Sequence, residues 1–405
     1  DSLSEVAGAT FFDADGDGDA DLVVTSGGHE EEGDVARLQT RLYLNNGKGQ
    51  MAKKVNGFPS VYLNASCVRS ADVDGDGDLD LFIGGRVVAG KYGIDPVSYL
   101  MINNGNGDFT IANDRLPAKL GMVSDAAWQD VNGDKKPDLI LVGEWMPVTV
   151  LVQDETGKWT DQTRTYGLAE TKGWWNSLTS VDLDGDGDLD LLAGNLGENS
   201  RLRATADTPV ELWVGDIDSN GSLDPILTYF NNGRSYPFAS RDQLVKQVPA
   251  LKKKFLKYTD FTDVRIDDLL TPAQKSTFVK KQAQLFSSVW LESTKEGFKV
   301  HRLPDETQLF PVMSMKALDV NGDGNKDIVA VGNFYDVLPD FGRYDAGYGL
   351  VMLGDGKGNF QPQTIQQSGF LVRGEGRDIA VVKNSRGEQV VIVSRNNDTL
   401  LTFTN

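Results

Sequence analysis

The sequence has little of what most catalytic and redox chemistry uses. Its 405 residues include two histidines, His29 and His301, and one cysteine, Cys67. A single cysteine excludes an intrachain disulfide. Zinc-ligand spacing, a Gly-rich phosphate loop and a Ser/His/Asp set are all missing. No apolar run reaches the ~20 residues of a membrane-spanning helix. Positive charge is also short, with 40 Lys and Arg against 59 Asp and Glu and a net charge of −19. That balance argues against nucleic acid and anionic membrane as partners. No signal peptide stands at Asp1, and the first motif begins one strand in. We therefore expect a mature or trimmed segment.

Much of the acid lies in one repeated motif. Asp13, Asp15, Asp17 and Asp21 occupy positions 1, 3, 5 and 9 of a loop with Gly16 and Gly18 at 4 and 6. The same ladder returns as Asp72, Asp74, Asp76 and Asp80, then as Asp130, Asn132, Asp134 and Asp138. It recurs as Asp182, Asp184, Asp186 and Asp190, as Asp216, Asp218, Asn220 and Asp224, and as Asp319, Asn321, Asp323 and Asp327. Position 7 varies through Asp19, Asp78, Lys136, Asp188, Ser222 and Asn325, as expected if only its carbonyl binds. Oxygen side chains on alternate residues of a Gly-turned loop suit calcium, which takes about 6–8 oxygens in a flexible geometry. The loops are not EF-hands, because position 12 of the first copy is Val24 and not Glu. About six structural Ca²⁺ ions are expected, and they would take the net charge from −19 to about −7. Calcium sites of this kind fill best outside the cell, so an extracytoplasmic location is expected: secreted, periplasmic or cell-surface.

Each ladder stands between strand-like runs. A short apolar strand precedes it, and a strand apolar on nearly every residue follows, as in Leu139-Ile140-Leu141-Val142. A third strand ends in a turn such as Asn103-Asn104-Gly105-Asn106-Gly107, a hairpin signal. Four antiparallel strands in units of roughly 50–60 residues predict an all-β chain, a β-propeller. Ladder starts are spaced by 59, 58, 52, 34 and 103 residues. The short fourth unit implies curtailed outer strands, and the long fifth an insertion. Arg377 to Val382 opens one more unit without a ladder. We expect a single domain over 1–405, a seven-bladed propeller with calcium loops in six blades, six blades being the alternative. An N-terminal strand at about residues 3–6 would close the last blade. Residues 240–284 read as a helical insertion in blade five, with Ser240 as N-cap, a break near Pro249, and further helix from Pro272 to Gln284.

The repeat Asp-x-Asp-Gly-Asp-Gly-x-x-Asp before a buried strand resembles the FG-GAP/VCBS repeat of integrin α-like propellers. The segments Gly173-Trp174-Trp175-Asn176-Ser177, Gly194-Asn195-Leu196-Gly197-Glu198-Asn199-Ser200, Asp224-Pro225-Ile226-Leu227-Thr228-Tyr229 and Ser235-Tyr236-Pro237-Phe238-Ala239-Ser240-Arg241-Asp242 resemble bacterial proteins of the ASPIC/UnbV type, similar to cartilage acidic protein. The resemblance spans essentially the whole chain. It implies a calcium-stabilised extracytoplasmic propeller whose relatives mostly lack an assigned activity.

In such a propeller the calcium loops share one face. The opposite face would carry Arg86, Trp145, Trp174, Trp175, Asn195, Arg241 and Tyr335, with His29 and Glu30 to Glu32 nearby. Aromatic rings beside amides and guanidinium suit a glycan or a protein ligand, although each Trp serves equally well as a wedge between blades. The expected function is a binding module. A calcium-dependent polysaccharide lyase or other carbohydrate-active propeller enzyme is the alternative, and no catalytic residue is assigned, since no acid–base set is visible.

Overall fold

The computed structural model describes residues 4–28, 35–338 and 341–404. It divides into two compact units. Unit 1 comprises Asp1–Val123, Glu170–Lys172 and Leu202–Leu285; unit 2 comprises Ser124–Ala169, Gly173–Arg201 and Phe286–Asn405. Both are built from small antiparallel sheets, as the alternation of buried strands and Gly-rich turns predicts.

Unit 1 holds three four-stranded sheets. The first is β1 (Glu5–Phe12), β2 (Asp21–Gly27), β3 (Arg41–Asn45) and β4 (Met51–Lys53), paired in that order. The second is β5 (Asn64–Ala71), β6 (Asp80–Val87), β7 (Tyr99–Asn103) and β8 (Phe109–Ile111), also in order. The apolar run after the ladder forms the well-buried second strand: six of the eight residues of β6 are buried, whereas β4 is wholly exposed. The two sheets share one core of Phe12, Val23 and Leu42 with Val68, Leu81, Ile83, Met101 and Phe109. Phe58 stacks on Phe109 with ring centroids 4.7 Å apart.

The third sheet of unit 1 is ordered differently. Strands β16 (Val210–Gly215), β17 (Asp224–Asn231) and β18 (Arg234–Pro237) follow in sequence, but β19 (Val279–Ala283) pairs with β16. Between β18 and β19 run four short helices, α1 (Arg241–Gln247), α2 (Leu251–Lys254), α3 (Ile266–Leu269) and α4 (Pro272–Thr277). Ser240 caps α1 and Thr271 caps α4, each in a reciprocal capping box with a Gln three residues on, and Pro272 takes the first helical position. The helix expected from Pro272 to Gln284 stops at Thr277. Lys280 to Ala283 turn instead into the edge of the sheet, where they pair with Trp213 to Val210. The helices and the sheet have a core of their own: Trp213 and Ile226 against Leu244, Val248, Leu251, Phe255, Val264 and Ile266.

Unit 2 holds four sheets. The first contains β9 (Met122–Gln129), β10 (Asp138–Met146), β11 (Thr149–Gln153) and β12 (Trp159–Asp161), with β13 (Gly173–Trp174) added to β10. The next starts with β14 (Ser177–Val181) and β15 (Asp190–Gly194) and is completed by β20 (Val289–Thr294) and β21 (Gly297–Arg302). Then come β22 (Val312–Leu318), β23 (Asp327–Gly332), β24 (Leu350–Gly354) and β25 (Phe360–Gln363). After the one-turn helix α5 (Ile365–Ser368), the last sheet has β26 (Gly376–Lys383), β27 (Gln389–Arg395) and β28 (Leu401–Thr404).

The sheet carrying the fourth ladder is therefore not curtailed. Its two outer strands arrive after the whole β16–β19 sheet has been made. Side chains join the sheets of unit 2 in one sequence. Ser124 Oγ donates to the carbonyl of Trp175, Thr179 Oγ1 to that of Met315, and Ser314 Oγ to the carboxylate of Asp378. The sheet of the fourth ladder thus packs directly on that of the sixth, sharing a core of Leu192, Trp290, Met315, Ile328 and Met352. Seven sheets are present among the described residues, and the fifth stands outside this sequence. Glu5 and Val6, in the stretch expected to close the last blade, belong to β1 and pair with Gly27 and Ser26. Leu3 lies outside the described residues, and the last sheet has three strands among them.

Candidate metal centres

All six ladders are the loops of β-hairpins: β1–β2, β5–β6, β9–β10, β14–β15, β16–β17 and β22–β23. Position 9 is in each case the first residue of the second strand. The loops are closed by their own side chains. In the first, Asp13 Oδ1 accepts from the Gly16 amide at 2.8 Å and Oδ2 from the Gly18 amide at 2.9 Å, and Asp17 Oδ1 accepts from the Asp19 amide at 2.9 Å. Gly75 and Gly77 donate in the same way to Asp72, Gly185 and Gly187 to Asp182, and Gly322 and Gly324 to Asp319. These turns require left-handed backbone at positions 4 and 6, which explains the glycines. Two exceptions, Lys135 (φ 70°) and Ser219 (φ 61°), adopt it without being glycine.

The position-9 carboxylate does something else. Asp21, Asp80, Asp138, Asp190, Asp224 and Asp327 are all buried. One oxygen accepts from the amide of position 2, as Asp80 does from Val73 at 3.0 Å and Asp190 from Leu183 at 3.0 Å. The other accepts from an amide at the end of the third strand: Asn45 to Asp21, Asn103 to Asp80, Gln153 to Asp138 and Gly354 to Asp327, at 2.7–2.8 Å. For Asp190 this donor is Ser293, in β20, which enters the sheet only after the fifth ladder's sheet. Sequence reasoning assigned position 9 to a ligand set and missed this link, since the third-strand partner carries no side-chain signature.

In four loops three carboxylates each bring an oxygen within 4.8 Å of the others: Asp13, Asp15 and Asp17; Asp72, Asp74 and Asp80; Asp182, Asp184 and Asp190; Asp216, Asp218 and Asp224. Burial, and then the neighbouring acids, hold the carboxyls of Asp15, Asp74 and Asp184 above the usual range. Burial also pushes Asp80, Asp138 and Asp190 up to about 6, against the lowering effect of their amide donors. Uncompensated carboxylates of this kind fit a hard cation. The fit has a second mark: Asp15 Oδ1 and Asp218 Oδ1 are buried and accept no hydrogen bond among the described residues. The loops of the third and sixth ladders have Asn at position 3. There the Asn132 amide donates to Asp134 at 3.0 Å and that of Asn321 to Asp323 at 2.9 Å. The position-7 side chains of Asp19, Asp78 and Asn325 face Gly47, Gly105 and Gly356 in the turn after the third strand, where a Cβ would collide with them. Lys136 instead reaches the carbonyl of Asp154. Arg115 stands 3.7 Å from Asp74, a neighbour that no motif in the chain announces.

The expected ligand residues fare unevenly. Trp145 and Trp174 meet edge to face at 4.9 Å, and Trp174 lies 5.1 Å from Phe286. Asn195 is buried beside them, its Oδ1 accepting from the Trp174 amide at 3.1 Å. Trp145 is buried with φ 63°, a strained backbone for a bulky residue. Trp175 is fully buried and belongs to the core. Tyr335 lies half-buried under the Arg343 guanidinium, 4.4 Å from its ring centroid. Arg86 is exposed in β6. Arg241 is half-buried and committed to the helices, with Nε donating to the carbonyl of Phe255 and Nη1 paired with Asp242. The two units hold these residues separately, Arg86 and Arg241 in unit 1 and the other five in unit 2. His29 and Glu30 to Glu32 lie outside the described residues.

Residues 13–83 and 130–193 match FG-GAP-like repeats. No curated protein sequence matches the chain. Similar solved structures include BBS1N in complex with ARL6DN, soaked with mercury or with lead. These are 9% and 8% identical with TM-scores of 0.38 and 0.36; 99% of this chain is covered, and 93% and 92% of theirs. The biofilm matrix protein Bap1 of V. cholerae is 12% identical with a TM-score of 0.30, over 97% of this chain and 85% of that one. At such scores these likenesses carry no argument about function. The stretches that match FG-GAP-like repeats contain the first four of the six Asp ladders.

Proposed function

We propose that the chain is a calcium-stabilised, extracytoplasmic binding module for a glycan or protein ligand. The observation that carries the calcium part is the convergence of three carboxylates in each of four hairpin loops, with buried oxygens of Asp15 and Asp218 lacking a donor. Calcium supplies the positive charge that lets these carboxylates stay ionised together. The residues divide the work by degree. Positions 1 and 5 also shape the loop, position 3 takes a single loop amide, as Asp184 does from Asp186, and position 9, one of the converging carboxylates in three of the four loops, also holds the third strand in five of the six. FG-GAP-like repeats support a binding role in general. For the ligand, the reading rests on Trp145, Trp174 and Phe286, which gather in unit 2 beside Asn195. ASPIC/UnbV-type kinship and a ring of blades, each a sheet, belong to the same reading.

The test is thermal unfolding of metal-stripped protein with and without added calcium, with bound metal counted on the same sample. A calcium-dependent rise in Tm with four to six ions bound is expected. No rise and no bound metal would return the ladders to plain acidic turns.

A further inference from the structure

A net charge of −19 hides one basic stretch. From Lys246 to Tyr258 there are five lysines and no acid. They surround α2 in the helical segment of unit 1. Lys246, Lys252, Lys253 and Lys257 are exposed and have no carboxylate partner among the described residues. Lys254 differs, since it turns back to the carbonyl of Asp268. Two apolar side chains stand among them, Leu256 at 72% and Tyr258 at 69% exposure. Leu251 and Phe255, on the same turn, are buried in the helical core, so the exposed pair is not needed to fill it. Tyr258 is also held in place. Its hydroxyl donates to Asp242 at 2.8 Å, and the Arg241 guanidinium lies 5.1 Å from its ring centroid. The Tyr258 ring is thus fixed against α1 and left in water beside the exposed Leu256 and the lysines.

We propose that this tip, Lys252, Lys253, Leu256, Lys257 and Tyr258, docks on an anionic phospholipid surface. Lysines attract the phosphates, and the leucine and tyrosine enter the headgroup boundary. The exposed leucine decides for lipid over an acidic polysaccharide, which offers it nothing apolar. The long-range charge of the chain does not prevent this. Exposed charges more than a Debye length apart, about 8 Å at physiological salt, are screened, so the local patch governs contact. The net-charge argument against anionic membranes thus holds for the chain as a whole and fails for this segment.

The experiment is co-sedimentation of the full chain, in calcium, with phosphatidylcholine vesicles containing about one third phosphatidylglycerol, and with pure phosphatidylcholine. Binding to the anionic vesicles alone is expected, weakening with salt. Lys252→Glu/Lys253→Glu should lower it about tenfold or more. Leu256→Ser should lower it several-fold with the salt dependence unchanged. Both variants alter exposed residues, and circular dichroism checks that they fold. No binding overturns the proposal, as does equal binding by the charge-reversed variant, which would place the contact elsewhere or make calcium the bridge. Retention on an acidic polysaccharide without vesicle binding overturns it in favour of a glycan.

Discussion

Asp184 and Asp190 share one loop, yet their substitution should read differently. Asp184 is offered to the ion, and burial with its acidic neighbours keeps its carboxyl above the usual range. Asp184→Ala should lower Tm in calcium and scarcely change it in metal-stripped protein. Asp190→Ala strands the amides of Leu183 and Ser293, at about 1–3 kcal/mol for each unsatisfied donor. It should destabilise under both conditions, and equal behaviour of the two variants would sink the division of labour. The same carboxylates set a pH dependence. Asp80, Asp138 and Asp190 titrate near 6 when folded without metal, above the ordinary 3.8. Their contribution to metal-free stability is full below about 4 and is lost as pH rises through about 6. Calcium requires the ionised form, so the calcium-induced rise in Tm should grow over that same window. Melting of metal-stripped protein from pH 4.5 to 7.5, with and without calcium, checks both trends; a metal-free Tm that climbs toward neutrality would contradict the first.

The loop is the element whose rules were most legible. Ladder spacing located all six hairpin turns, because ligand-like carboxylates and left-handed glycines must fall at fixed positions within nine residues. Lys135 tests that logic. It holds φ 70° at a position filled by glycine in the other loops, so Lys135→Gly should raise stability by up to about 1 kcal/mol. Gly187→Ala, at φ 96° with nothing within 4 Å of an added Cβ, should lower it by about 1 kcal/mol through backbone strain alone. Urea unfolding midpoints of the two variants, read against wild type, check these signs. Strand partnership was less legible. The run Val289–Thr294 has the pattern of a buried strand, but nothing local says that its partner is β15 and not β17. Likewise Val279–Ala283 lies in a stretch that reads as helix and becomes a strand because the edge of β16 is open to it. The aromatic candidates show the same limit. The Trp174–Trp175 pair looks like one feature in sequence, yet neighbouring residues face opposite ways, and only Trp174 keeps any exposure.

At the scale of the whole chain, the fifth ladder's sheet behaves as a module set into another sheet. It has its own hydrophobic core and its own strand order. The chain leaves and re-enters the interrupted sheet at nearly one point, since the Gly197 amide donates to the Phe286 carbonyl at 2.8 Å. The 34-residue ladder spacing that suggested curtailed strands is therefore the trace of an interruption, and the 103-residue spacing is its return. This makes an excision informative. Replacing 202–285 by a short Gly-Ser linker should leave β14, β15, β20 and β21 paired, because the Asp190–Ser293 bond and the Thr179–Met315 bond both lie outside the removed residues. Hydrogen exchange should find the amides of Leu191, Leu192 and Ala193 as protected as in the full chain, and the calcium count should fall by one. Loss of protection in β15 would mean that the fourth sheet needs the fifth in order to fold and is not merely interrupted by it in sequence.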